Sequence, residues 1–118
     1  MSASESSVFG TRLKEARLHA GLSQRKLGIE AGLDPSVAST RINRYELGVH
    51  EVDYPFAIRL AKVLRVPVAY FYADDGDLSR LILMFGGISK KKREELIAFA
   101  NFLQTGNPEE QVDNRSRG

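Results

Sequence analysis

Between Ser23 and Gly48 the chain carries start and stop signals for two helices, set so close together that neither can be long. Ser23 is a natural N-cap for the segment QRKLGIEA, because its hydroxyl can accept from the backbone N–H groups that a first helical turn leaves unpaired. Gly32 stops this segment after two turns. Asp34 and Pro35 then form a cap and first-turn proline pair that opens a third helix, PSVASTRINRYE, closed at Gly48. Two short helices joined at Gly32 predict a helix-turn-helix, in which the helices cross steeply and their backbones come close. Gly28 lies four residues before Gly32, on the inner face of the second helix. A glycine inside a helix costs about 1 kcal/mol relative to alanine, and close packing supplies a reason to keep it.

Helical spacing continues on both sides. Phe9, Leu13, Ala16 and Ala20 recur at i, i+4, i+7 and i+11, and Gly21 ends this first helix. GVHEVDY reads as a loop, Pro55 begins a fourth helix, PFAIRLAKVL, and VPVAYFY reads as a short fifth. The turn DDGD marks a boundary, beyond which LSRLILMF and KKKREELIAFANFLQ predict a helical hairpin joined through Gly86, Gly87 and Ser89. Nothing reads as a strand or a repeat. The expectation is an all-α chain: a disordered arm over 1–7, a five-helix domain over 8–73, a helical extension over 77–104 and a polar, disordered tail over 105–118.

Composition removes several classes. With 118 residues there is room for one domain plus tails. The absence of cysteine excludes disulfides, thiol nucleophiles and thiolate metal sites. No apolar run approaches the ~18–20 residues that span a bilayer, and Met1 to Ser7 lacks a basic-then-apolar leader, so a cytoplasmic protein without membrane contact is expected. His19 and His50 fall on different elements, with no metal-ligand spacing, phosphate loop or nucleophile elbow. Neither catalysis nor a cofactor is therefore expected. Net charge is only +2, but from Phe9 to Tyr72 there are 10 Lys and Arg against 6 Asp and Glu. That positive bias suits a segment that meets phosphates.

The third helix divides by face. Ala38, Ile42 and Tyr45 follow i, i+4, i+7 and turn inward. Ser36, Ser39, Thr40, Asn43 and Arg44 lie opposite and leave that face without a large apolar residue. Hydroxyls, an amide and a guanidinium are the groups that bond base edges in the major groove.

These residues resemble the Cro and phage-repressor type of helix-turn-helix regulators, also called the xenobiotic-response-element family. The match is RLKEARLHAGLSQRKLGIEAGL, INRYELG and AIRLAKVLRVPVAYFY, and it covers a whole five-helix family domain from Phe9 to Tyr72. The resemblance implies double-stranded DNA as partner and a transcriptional regulator, most simply a repressor, as function. It implies that Gln24 touches backbone phosphate and braces the recognition helix, and Arg25 and Arg41 are expected among the DNA-binding residues with Ser36, Ser39, Thr40, Asn43 and Arg44. Gly28 and Gly32 take the packing and turn positions, Ile42 anchors the recognition helix, and Arg17 and Glu46 form an internal ion pair. The family usually has five residues between the turn glycine and the position of Ile42, whereas nine stand here. Four extra residues either start the third helix one turn early or bulge out as a longer turn.

The last third lies outside this match. Leu78, Leu81, Ile82 and Phe85 make one apolar stripe, and Leu96, Phe99 and Leu103 another. Stripes so wide need cover. Intramolecular packing on the five-helix domain is one source of cover, and a two-fold homodimer, which would present two recognition helices to paired half-sites, is the favoured one. The alternative is an antitoxin-type module that holds a different small protein there while also binding DNA.

Overall fold

Six α-helices and one 3-10 helix account for the regular structure among the described residues, 7–106, of the computed structural model. The arm over 1–6 and the tail over 107–118 lie outside those residues. Ser7, counted with the arm, is buried. Helix α1 spans Val8–His19, α2 Gln24–Glu30, α3 Pro35–Leu47 and α4 Tyr54–Leu64. The 3-10 helix Val68–Tyr72 follows, then α5 (Gly76–Gly86) and α6 (Lys90–Thr105). The chain is all-α, as its spacing predicts.

Most boundaries have a visible chemical cause. Ser23 caps α2 by accepting from the Lys26 N–H at 2.9 Å. Helix α4 starts at Tyr54, one residue ahead of its proline, because the Asp53 carboxylate accepts from the Phe56 N–H at 2.9 Å. The fifth helix of the domain is a 3-10 turn, entered through Pro67 in extended conformation.

The core gathers the inner faces of the first four helices around the 3-10 helix. Leu13, Leu27, Ile42, Leu60 and Phe71 are sealed from solvent. Removing each such side chain from water contributes about 1.5–3 kcal/mol. Phe9 packs on Phe71 with ring centroids 4.8 Å apart, and Tyr45 on Phe56 at 5.7 Å. A polar staple closes this end of the domain. Arg12 Nε donates to the Ala73 carbonyl at 2.7 Å, and the Tyr70 hydroxyl donates to Glu15 Oε1 at 3.0 Å.

The chain divides into a unit that ends at Gly86 and a second that begins at Gly87. Helix α5 therefore packs with the helices before it. Ser79 is buried, Ile82 packs against the core, and Gly86 comes close to the Pro67 ring. The sequence reading gives Ile82 to an outward stripe. The structure turns it inward, and the exposed apolar side chains of α5 are Leu78, Leu81, Leu83 and Met84, with Phe85 half-buried. In the second unit, α6 is capped by Ser89, whose hydroxyl accepts from the Lys92 N–H at 3.2 Å. It runs through Thr105 to Gly106. None of its residues is buried, and Ile97, Phe99, Phe102 and Leu103 are exposed while Leu96 is half-buried.

Candidate nucleic-acid interface

Helices α2 and α3 are held together by one very close approach. A Cβ placed on Gly28 would lie 2.8 Å from the Cβ of Ala38 and 3.0 Å from its carbonyl oxygen, so no larger residue fits without displacing α3. The turn between the helices passes through Gly32 at φ +105°. Asp34 then starts α3. Its Oδ1 accepts from both the Ser36 N–H, at 2.8 Å, and the Ser36 hydroxyl, at 2.6 Å. Those two bonds, the hydroxyl's first, hold the Asp34 carboxyl below its ordinary value of 3.8. The four residues beyond the family spacing thus extend α3 at its start, giving a helix of 13 residues closed by Gly48.

Behind α3 sits a buried ion pair. Arg17 donates from Nε to Glu46 Oε2 at 2.5 Å and from Nη2 to Oε1 at 3.2 Å. Its Nη1 bonds the Leu22 carbonyl at 3.0 Å. Gln24, the first residue of α2, carries this network to the surface. Its Nε2 donates to Glu46 Oε1 at 3.0 Å and to Asn43 Oδ1 at 3.1 Å. The brace runs from α1 through the end of α3 to the one amide on its exposed face.

Ser36, Ser39, Thr40, Arg41, Asn43 and Arg44 are all exposed along α3, while Ala38, Ile42, Tyr45 and Glu46 are buried. The exposed set is not uniform. Ser36 is engaged in its helix cap, and Arg41 Nη1 bonds the Tyr45 hydroxyl at 3.3 Å. Asn43 is oriented by Gln24. Arg25, beside Gln24 on α2, is exposed.

Two features escape the sequence reading. The face argument leaves no large apolar side chain outward on α3, yet Val37 and Leu47 are 41% and 54% exposed. Seven residues are about two turns, so Val37 shares a side with Arg44 and Leu47 with Thr40. The second feature is Gly10, where a Cβ would overlap the Glu46 carbonyl oxygen. Here α1 crosses the end of α3 so closely that only glycine fits. A glycine early in the first helix is the sequence signal for it.

Among the described residues there is no group of acidic, histidine or cysteine side chains able to hold a metal ion, and no helix long and apolar enough to cross a membrane.

Residues 8–70 match the model of a family described as a helix-turn-helix domain. Two curated relatives, each described as an uncharacterized HTH-type transcriptional regulator, come from Sinorhizobium medicae (strain WSM419) and Rhizobium meliloti (strain 1021). Both are 32% identical over 65 residues, which is 55% of this chain and 44% of theirs. The chain spans less than half the length of these relatives. The crystal structure of the transcriptional regulator BswR is similar at a TM-score of 0.73 and 41% identity, over 78% of this chain and 91% of that one. This coverage is more than residues 8–70 alone can supply, so the likeness continues into the helices beyond the domain. On the matched domain, the braced glutamine and the glycine-tight crossing of α2 and α3, the chain belongs to the Cro and phage-repressor type of helix-turn-helix family of DNA-binding regulators.

Proposed function

We propose that the protein is a repressor that binds a specific sequence of double-stranded DNA in the cytoplasm, reading the major groove with α3 over Pro35 to Glu46. The observation that carries this reading is the brace from Arg17 and Glu46 through Gln24 to Asn43. It fixes a base-bonding side chain on an exposed helix face, next to Thr40 and Arg44, before any ligand arrives. Such preorganisation lowers the ordering that binding would otherwise require. Arg25 and the start of α2 serve the phosphates, where backbone N–H groups and cations favour anions. The domain over 8–73 supplies DNA binding, and the extension over 77–104 joins two copies. Support for the second role comes from Leu78, Leu81 and Met84 on α5 and Phe99 and Leu103 on α6, all exposed in the single chain. Two copies would set two recognition helices about 34 Å apart, one turn of duplex.

Selection of bound fragments from random DNA by the purified protein tests the reading. A near-palindromic site is expected, and a promoter that carries it should fall silent when the protein is present. No enrichment above background would end the proposal, and activation of that promoter would remove the repressor role alone. A different small protein seated on α5 and α6, with the chain otherwise monomeric, would put the antitoxin-type reading in place of the dimer.

A further inference from the structure

We infer that Asn43 meets DNA as a hydrogen-bond donor, and that the buried Glu46 carboxylate sets this polarity through Gln24. The inference rests on the DNA-reading role proposed for α3.

The argument runs outward from the ion pair. Glu46, gripped by two nitrogens of Arg17, presents lone pairs and no proton. The Gln24 amide atom 3.0 Å from its Oε1 must therefore be the nitrogen. That same Nε2 stands 3.1 Å from the side-chain amide of Asn43. A nitrogen that only donates needs an acceptor, so Asn43 turns its Oδ1 toward Gln24. Both hydrogens of Gln24 Nε2 are then engaged, one on Glu46 and one on Asn43. The group Asn43 turns away from Gln24, on an exposed residue, is the NH2 of Nδ2. Rotating the Asn43 amide would set NH2 against NH2 and break the chain of bonds at its surface end.

A free asparagine pairs with adenine by donating to N7 and accepting from the 6-amino group. Gln24 takes one of the two lone pairs of the Asn43 oxygen and turns its NH2 outward, so Asn43 leads with a donor and is best matched by an edge made of acceptors. Guanine presents two adjacent ones, N7 and O6, and cytosine presents a donor in the same groove. Guanine is the base assigned to Asn43, and Glu46 and Gln24 are positioning residues for that choice.

The test compares fragment selection from random DNA by the wild type and by Asn43→Asp. This variant keeps an oxygen toward Gln24 and replaces the outward donor with an acceptor. Preference at one base pair per half-site should move from guanine to cytosine, with the other positions unchanged. Replacing that guanine by 7-deazaguanine should weaken the wild type several-fold and leave Asn43→Ala unaffected, which serves if the aspartate variant folds poorly. In the free protein, the Gln24 side-chain amide protons should exchange with water more slowly than those of Asn43. Adenine at that position, with binding lost when its 6-amino group is removed, would overturn the inference. So would Asn43→Asp leaving every preference in place, or equally fast exchange of the two amides. A wild type that enriches no sequence would instead bring down the DNA-reading role itself, a result distinct from these.

Discussion

Arg17 and Glu46, twenty-nine residues apart in sequence, are joined by two hydrogen bonds with only 8% of each residue exposed. The pair ties α1 to the last turn of α3, so the orientation of the exposed face depends on a charge pair inside the protein. Glu46→Ala strands the guanidinium without its counter-charge and should cost about 3–5 kcal/mol of stability. An unfolding midpoint in urea no lower than that of a surface control such as Glu94→Ala would contradict this.

Gly28→Ala should destabilise by up to about 2 kcal/mol, because overpacking against Ala38, at about 1–3 kcal/mol, outweighs the gain of about 1 kcal/mol in helix propensity. Gly76→Ala, where an added Cβ meets nothing within 4 Å, is the matched control and should be neutral or mildly stabilising. Ala38→Gly in the Gly28→Ala background should recover part of the loss, which thermal unfolding of the four proteins would measure.

Arg44→Ala should cost about 1–3 kcal/mol on the preferred DNA and relax selection at one base pair. Equal weakening on every sequence would assign Arg44 to phosphate. Arg25→Ala should act uniformly and reduce the log–log salt slope by about 0.9.

The Asp34 cap should respond to acid. Its carboxyl is held low in the folded chain, so its contribution is present above 3.8 and is lost as pH falls through the depressed folded value. Ser36→Ala removes the hydroxyl bond and should move the Asp34 titration, followed by NMR, back toward 3.8. An unchanged titration would mean the hydroxyl does not hold the carboxylate in solution.

Association can be tested on α5 without uncovering the core. Truncation at Asp77 would remove Ile82 and Ser79 from the packed unit, so the outward residues are the better targets. Leu81→Glu with Met84→Glu should give a monomer in sedimentation at concentrations where the parent is a dimer, with thermal unfolding little changed. A parent chain monomeric at high micromolar concentration would rule out the dimer.

The helix order could be read from the sequence because its punctuation is chemical. Ser23 and Asp34 each cap a helix with their own side chains, and Gly21, Gly32 and Gly48 each adopt a positive φ where a helix or turn must reverse. Less of the site was legible. Face assignment by spacing put Ile82 outside and left Val37 and Leu47 out of account, because a stripe on a short helix can be drawn in more than one phase. The Arg12 and Tyr70 staple joins residues more than fifty positions apart, and no local pattern signals such a pairing. Asn43 stood out as a polar residue on the outer face, but its bond to Gln24 joins residues nineteen positions apart and no local spacing signals it.

The early start of α3 constrains the DNA-reading role proposed for it. Thirteen residues at about 1.5 Å each give a rod of about 20 Å, and the major groove is only about 12 Å wide. A rod of that length cannot lie square across the groove with both ends inside. One end must stay beyond the phosphate walls, and the first turn is suited to it. Its Asp34 carboxylate would be repelled by phosphates, and the Ser36 hydroxyl is already bonded to that carboxylate. In the DNA-reading role proposed for α3, a steep entry would leave depth of insertion to Thr40 through Leu47, and the added turn would act as a doorstop that sets how far the helix slides in.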